Sequence, residues 1–204
     1  MRKIIFASAV VAASVATPAF AQDAEGTTAA NGVRVEAIVG FDRVMFDMED
    51  IADIDNAEHL SGIIYGIGIG YDIPLSSNIS VGVDLEGTMS TANRTEEGAL
   101  GIPSLTLKAK AGRDLYAGIR MTAAVSPKIN FYVKGGYTNA RGKVTSESLA
   151  GETSESANSD GFRVGTGLQY AMGQSSYIGL EARYSNYEAD VSRMQVAATV
   201  GFRF

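Results

Sequence analysis

His59 is the single histidine of this 204-residue chain, and Ser61 follows it two positions later. Residues two apart share one face of an extended strand. An imidazole so placed could take the proton of the hydroxyl and leave a nucleophile, with Glu58 or Asp55 orienting the ring. A loop histidine standing beside a serine, without chemistry, is the plainer reading of the same residues. A second candidate lies just before it, where residues 47–58 carry six acids in twelve positions. As a calcium loop this stretch fails, because its fifth position is Ile51 and its sixth is Ala52 where the sharp turn needs glycine. A solvated acidic loop is the expected state. The chain has no cysteine, so thiolate metal sites and disulfides are excluded. Gly66-Ile-Gly-Ile-Gly70 alternates as a strand does and is not a phosphate cradle. No resident metal and no cofactor are expected.

Export is written at the amino end. Arg2 and Lys3 give a positive start, residues 4–16 are apolar and alanine-rich, and Ala19-Phe-Ala21 forms a small-x-small cleavage site. The apolar run is shorter than the ~20 residues that span a bilayer, so residues 1–21 are predicted to be a cleaved signal rather than an anchor. Residues 22–31 are predicted to be a flexible lead-in, and residues 32–204 one domain. Without the leader the chain has 15 basic against 23 acidic residues. That balance argues against nucleic acid, which needs clustered Lys and Arg. No later segment reaches the length of a membrane helix, so any spanning must be done by strands.

Apolar residues recur with period two from Val33 to Phe204. The pattern predicts eight strands over residues 33–46, 62–73, 78–90, 112–125, 129–141, 161–172, 177–187 and 193–204. Tight turns at Pro74-Leu-Ser-Ser77, Ser126-Pro-Lys128 and Gly173-Gln-Ser-Ser176 alternate with longer polar gaps at 47–61, 91–111 and 142–160. The second gap is partly strand-like from Leu105, and Lys143–Asp160 in the third is expected to be a mobile exposed loop. Short turns at one rim and long loops at the other predict an all-β fold: an eight-stranded antiparallel up-and-down transmembrane β-barrel.

Sorting side chains by face gives the interior. One face carries Val35, Val39, Ile67, Ile69, Val83, Leu85, Ile119, Val133, Val164, Leu180 and Val200 without a charge, as a lipid-facing surface requires. Its aromatics fall into two groups: Tyr71, Phe131, Tyr170, Phe202 and Phe204 toward the short turns, and Phe41, Tyr65, Tyr137, Phe162 and Tyr184 toward the long loops. The other face carries Arg34, Glu36, Asp42, Asp72, Asp84, Glu86, Asp114, Arg120, Lys134, Arg163, Glu181, Arg183 and Arg203, interleaved with glycines. An eight-stranded barrel is only wide enough to hold side chains. An interior ion-pair network built on Arg34, Glu36, Asp84, Glu86, Arg120, Lys134, Arg163, Glu181 and Arg183 is therefore expected, closing the lumen. Period alone does not tell inside from outside. A soluble lipocalin-like barrel would invert the two faces, but glycines on a solvated face and aromatics at the rims count against it.

The last ten residues, Gln195-Val-Ala-Ala-Thr-Val-Gly-Phe-Arg-Phe204, resemble the terminal strand by which outer-membrane proteins are recognised for assembly. With Gly112-Arg-Asp-Leu-Tyr-Ala-Gly118 and Phe131-Tyr-Val-Lys-Gly-Gly-Tyr137, residues 32–204 resemble the small outer-membrane β-barrel family, which includes opacity-type surface proteins and the OmpA transmembrane domain. The resemblance implies the outer membrane of a Gram-negative cell and contact with its lipid and lipopolysaccharide. It also implies an assembly signal at Phe202 and Phe204, read by the outer-membrane assembly machinery. Family members are structural proteins, adhesins or small porins, so a structural or surface-interaction role is expected, with an unknown surface ligand and no enzyme activity. A low-conductance porin is the alternative. His59-x-Ser61 also resembles the His-x-Ser of outer-membrane lipid A deacylases, a further alternative.

Overall fold

The computed structural model describes residues 28–46, 59–97, 105–148, 151–188 and 191–204. Nine strands run through the described residues. They are β1 (Gly32–Phe46), β2 (His59–Pro74), β3 (Ile79–Ser90), β4 (Asn93–Glu97), β5 (Thr106–Ser126), β6 (Ile129–Ser148), β7 (Gly151–Ala171), β8 (Ser176–Tyr187) and β9 (Val191–Arg203). All pairings are antiparallel, in the order β3-β2-β1-β9-β8-β7-β6-β5, and β3 pairs with β5 to close the ring. Eight strands thus form a closed barrel without a free edge. The fourth predicted strand is β5, and β4 is a short addition that extends β5 beyond the ring. No helix among the described residues is long and apolar enough to cross a membrane.

The phase of the alternation is the one that puts apolar side chains outward. Ile67 is 70% exposed, Ile119 64% and Leu180 64%, whereas Arg34 is 0%, Arg120 1% and Arg163 0%. The inverted, soluble barrel is therefore not the fold of this chain. Its short turns are held by small polar residues: the Ile79 amide donates to the Ser76 hydroxyl oxygen at 3.2 Å, and the Ile129 amide to that of Ser126 at 3.0 Å.

The largest departure from the sequence pattern lies opposite those turns. In the stretch 143–160, expected to be a mobile loop, the described residues instead continue β6 to Ser148 and β7 from Gly151 as a paired ladder. Its register runs without a shift from Ile129↔Tyr170 to Ser148↔Gly151. The backbone ladder extends past the point where an apolar face is needed, so the period-two signal disappears while the strands do not. The segment 91–111 likewise supplies β4 and the first residues of β5. The expected leader 1–21 lies outside the described residues, as do most of the lead-in and the acidic stretch 47–58. At the end of the lead-in, the Ala29 amide donates to the Ser77 carbonyl at 2.8 Å.

Candidate functional site

The barrel interior gathers the ionised side chains into three tiers, each electrically neutral. Nearest the short turns, Arg34, Arg120 and Arg203 face Glu36, Asp72 and Asp84. Arg34 pairs with Asp72 and Asp84, Arg120 Nε donates to Asp84 at 2.8 Å, and Arg203 Nη2 donates to Asp72 at 3.1 Å. Glu36 accepts from Arg120 at 3.3 Å, from the Tyr177 hydroxyl at 2.8 Å and from the Gln169 amide at 3.1 Å. In the middle tier Lys134 pairs with Glu86 and, at 2.7 Å, with Glu181; Arg183 reaches Glu181 at 2.7 Å and Glu86 at 3.0 Å. Toward the long loops, Arg163 pairs with Asp114, and Arg193 bridges Asp42 at 2.5 Å and Asp114 at 3.0 Å. Mutual pairing is what lets these charges sit out of water, since an isolated buried ion is costly.

Every network residue named from the sequence faces inward and is paired: Arg34, Glu36, Asp84, Glu86, Arg120, Lys134, Arg163, Glu181 and Arg183. The sequence reading passed over Arg193. It shares the parity of Arg203 and is the third residue of β9, where the alternation begins. With Arg193 the interior holds seven bases and seven acids, one base more than the alternation alone assigns to it. Four tyrosines were also missed: Tyr116, Tyr132, Tyr177 and Tyr187 all point inward at 4% exposure or less. They have the parity of the charges rather than of the girdle aromatics. The Arg120 guanidinium lies 4.1 Å over the Tyr132 ring, and Lys134 Nζ lies 5.2 Å over Tyr116.

Glycines make the room for these rings. Tyr132 is directly opposite Gly167, and Tyr177 opposite Gly201. A Cβ on Gly167 would come within 2.5 Å of both the Tyr132 Cζ and hydroxyl and 2.6 Å of the Leu180 carbonyl oxygen. Replacing Gly167 with Val is expected to push the Tyr132 ring off Glu181, whose carboxylate accepts its hydroxyl at 2.6 Å. The expected loss is about 2–3 kcal/mol. Chemical unfolding of the barrel in lipid vesicles, followed by gel mobility without boiling, measures it.

Beside the last charged tier, where Val44 stands opposite Arg193, Val44, Leu60 and Ala92 pack together with Ala109, Ala111 and Val191. Leu60 therefore points into the lumen, and Ser61, its neighbour, is exposed on the outward face, opposite Arg43 of β1. His59 lies at the start of β2, opposite Met45, and Glu58 lies outside the described residues. Phe202 and Phe204 point outward at 53% and 70% exposure. The Phe204 amide donates to the Val33 carbonyl at 2.9 Å, where β9 closes against β1.

The model of the outer membrane protein beta-barrel domain matches residues 7–204. Among solved structures, Ail, the attachment invasion locus protein of Yersinia pestis, is 16% identical over 85% of this chain and 99% of its own, with a TM-score of 0.51. Neisserial surface protein A is also 16% identical, over 85% of this chain and 97% of its own, with a TM-score of 0.54. No curated protein matches the chain in sequence. With the family model covering nearly the whole chain, and the greasy face of a closed eight-stranded ring turned outward, this chain belongs to the outer membrane protein β-barrel domain family and resides in the outer membrane of a Gram-negative bacterium.

Proposed function

We propose that this barrel is a structural and surface-interaction protein, adhesin-like in role, whose lumen does not conduct. The observation that carries the reading is the neutral three-tier ion network, with the apolar cluster of Val44, Leu60 and Ala92 beside its last tier. Water and ions crossing such a lumen would have to strip paired charges from one another. The part of the molecule left to act is the set of strands beyond the membrane, above all the β6–β7 hairpin, which presents Ser, Thr and Glu on both faces from 151 to 158. Ail, named for attachment and invasion, has also been solved with the heparin analogue sucrose octasulfate, at 17% identity and a TM-score of 0.50. That identity supports a shared fold, and the surface role for this chain is our reading.

The barrel in planar lipid bilayers is expected to give no sustained single-channel steps. Reproducible steps of even small conductance would favour the porin reading instead. We read the chain as non-enzymatic, and its overexpression is expected to leave the acyl pattern of lipid A unchanged by mass spectrometry. Strand β9 with Phe202, and Phe204 just beyond it beside β1, is taken as the segment the assembly machinery recognises.

A further inference from the structure

Of the basic side chains that do not face the lumen, Lys108, Lys110, Arg113, Arg141 and Lys143 are concentrated on the outward face of β5 and β6. They begin just above the aromatic pair Tyr137↔Phe162. Arg141 is four residues beyond Tyr137 and Lys143 six, so at ~3.3 Å per residue and ~40° tilt they stand roughly 10 and 15 Å above that belt. The β-bulge between Ala111 and Asp114 brings Arg113 beside Arg141. Arg141 is opposite Asn158, and Arg113 Nη2 donates to the Asn158 side-chain oxygen at 3.5 Å. One rung higher, Lys110 is directly opposite Lys143. Like charges facing each other across a strand pair are destabilising.

Local carboxylates do not relieve this. Asp160, one rung below, already accepts from Tyr137 and, at 2.6 Å, from Asn139. Glu147 pairs with Lys108 at 2.5 Å. Among the described residues, Lys110, Arg141 and Lys143 form no ion pair, and Arg113 Nη1 is buried without a hydrogen-bond partner. Two guanidinium groups and two ammonium groups therefore converge with their charge uncompensated, an arrangement suited to a tetrahedral oxyanion.

We propose that Arg113, Arg141, Lys110 and Lys143 seat the phosphorylated headgroup of an outer-leaflet glycolipid. The site looks sideways, along the same direction as the lipid-facing Leu115 and Tyr137, and not upward into solvent. Its height is that of headgroups above an acyl layer. A soluble sulfated glycan would meet the same cations only by entering the headgroup zone. The proposal depends on the membrane placement and is independent of whether the lumen conducts.

The test is binding of fluorescent diphosphoryl lipid A to the full chain folded in detergent micelles, with chemically dephosphorylated lipid A and a heparin oligosaccharide as the other arms. Changing Arg113, Arg141, Lys110 and Lys143 together to Gln is expected to weaken diphosphoryl lipid binding at least about tenfold. Removing the phosphates should do the same to the native chain, while Lys128→Gln, in the turn at the opposite rim, should change nothing. Gel mobility without boiling reports whether the fourfold variant is folded. If it is not, Lys110→Gln with Lys143→Gln, both exposed, is the variant read. Equal binding by a folded variant, or equal binding of the dephosphorylated lipid, overturns the proposal. So does tighter binding of the heparin oligosaccharide than of lipid A, which would assign the cations to a soluble polyanion.

Discussion

Replacing Arg120 with Leu is expected to lower the unfolding free energy of the barrel by about 3–5 kcal/mol. Leucine keeps most of the volume, so the loss is one of charge and not of packing. Arg120 donates to Asp84 at 2.8 Å and to both Glu36 oxygens at 3.3 Å, and it stacks on Tyr132 at 4.1 Å. Without it the lowest tier holds Arg34 and Arg203 against Glu36, Asp72 and Asp84. Arg34 is already divided among all three carboxylates, and its one unbonded donor, Nε, already stands 3.5 Å from Glu36, so it brings no new charge to the tier. The penalty is therefore an uncompensated buried carboxylate. The informative companion is Arg120→Leu combined with Glu36→Gln, which restores neutrality in that tier and leaves an acceptor for Tyr177. The double variant is expected to recover much of the loss, because a neutral amide in place of the carboxylate no longer demands a counter-charge. Urea titration in phosphatidylcholine vesicles, scored by the folded band on unboiled gels, reads both variants. A loss under about 1 kcal/mol for the single variant would mean that Arg120 behaves as an exposed ion pair does. Strict additivity of the two changes would mean that the tier is not a coupled unit.

The architecture could be read from the chain wherever one face had to be greasy. Val33 to Phe41, Phe162 to Tyr170 and Val196 to Phe204 alternate cleanly because lipid on one side and paired charges on the other leave no freedom of register. The same logic puts Arg34, Glu36 and Arg183 on the inward face from their parity alone. It failed where a residue type has two homes. Tyr116, Tyr132, Tyr177 and Tyr187 could belong to a rim girdle or to the lumen, and only their parity with Asp114, Lys134 and Glu181 tells which. Arg193 was missed for a related reason, standing at a strand start with one apolar neighbour to set its phase. The β6–β7 hairpin was illegible because both of its faces meet water. Thr, Ser and Glu there satisfy a backbone ladder and bury little, so no hydrophobic period records it. The pairing of tiers is likewise a product of strand stagger: Arg34 meets Asp84, fifty residues away, through β2 between them.

Orientation is the claim with the sharpest energetic signature, and Leu180→Arg is expected to expose it. Leu180 is 64% exposed near the middle of the outward face, opposite Leu168 on β7 and Ala198 on β9. On a surface in contact with water, a single arginine at such a position would change stability by no more than about 0.5 kcal/mol. On a surface in contact with acyl chains it is expected to cost about 2–4 kcal/mol, and less toward either rim. The comparison is made within the molecule: arginine at Leu180 against arginine at Tyr184, four residues along the same face toward the long-loop rim, where the belt meets the headgroups. Unfolding of both in vesicles should place Leu180→Arg well below Tyr184→Arg, and in thin-bilayer vesicles of short-chain lipid the gap should narrow. Equal cost at both positions would mean that depth in a membrane does not govern this face. A lipid-facing belt requires the opposite, because the arginine at Tyr184 has only a short reach to the phosphates while the one at Leu180 must cross half the hydrocarbon layer to find any partner.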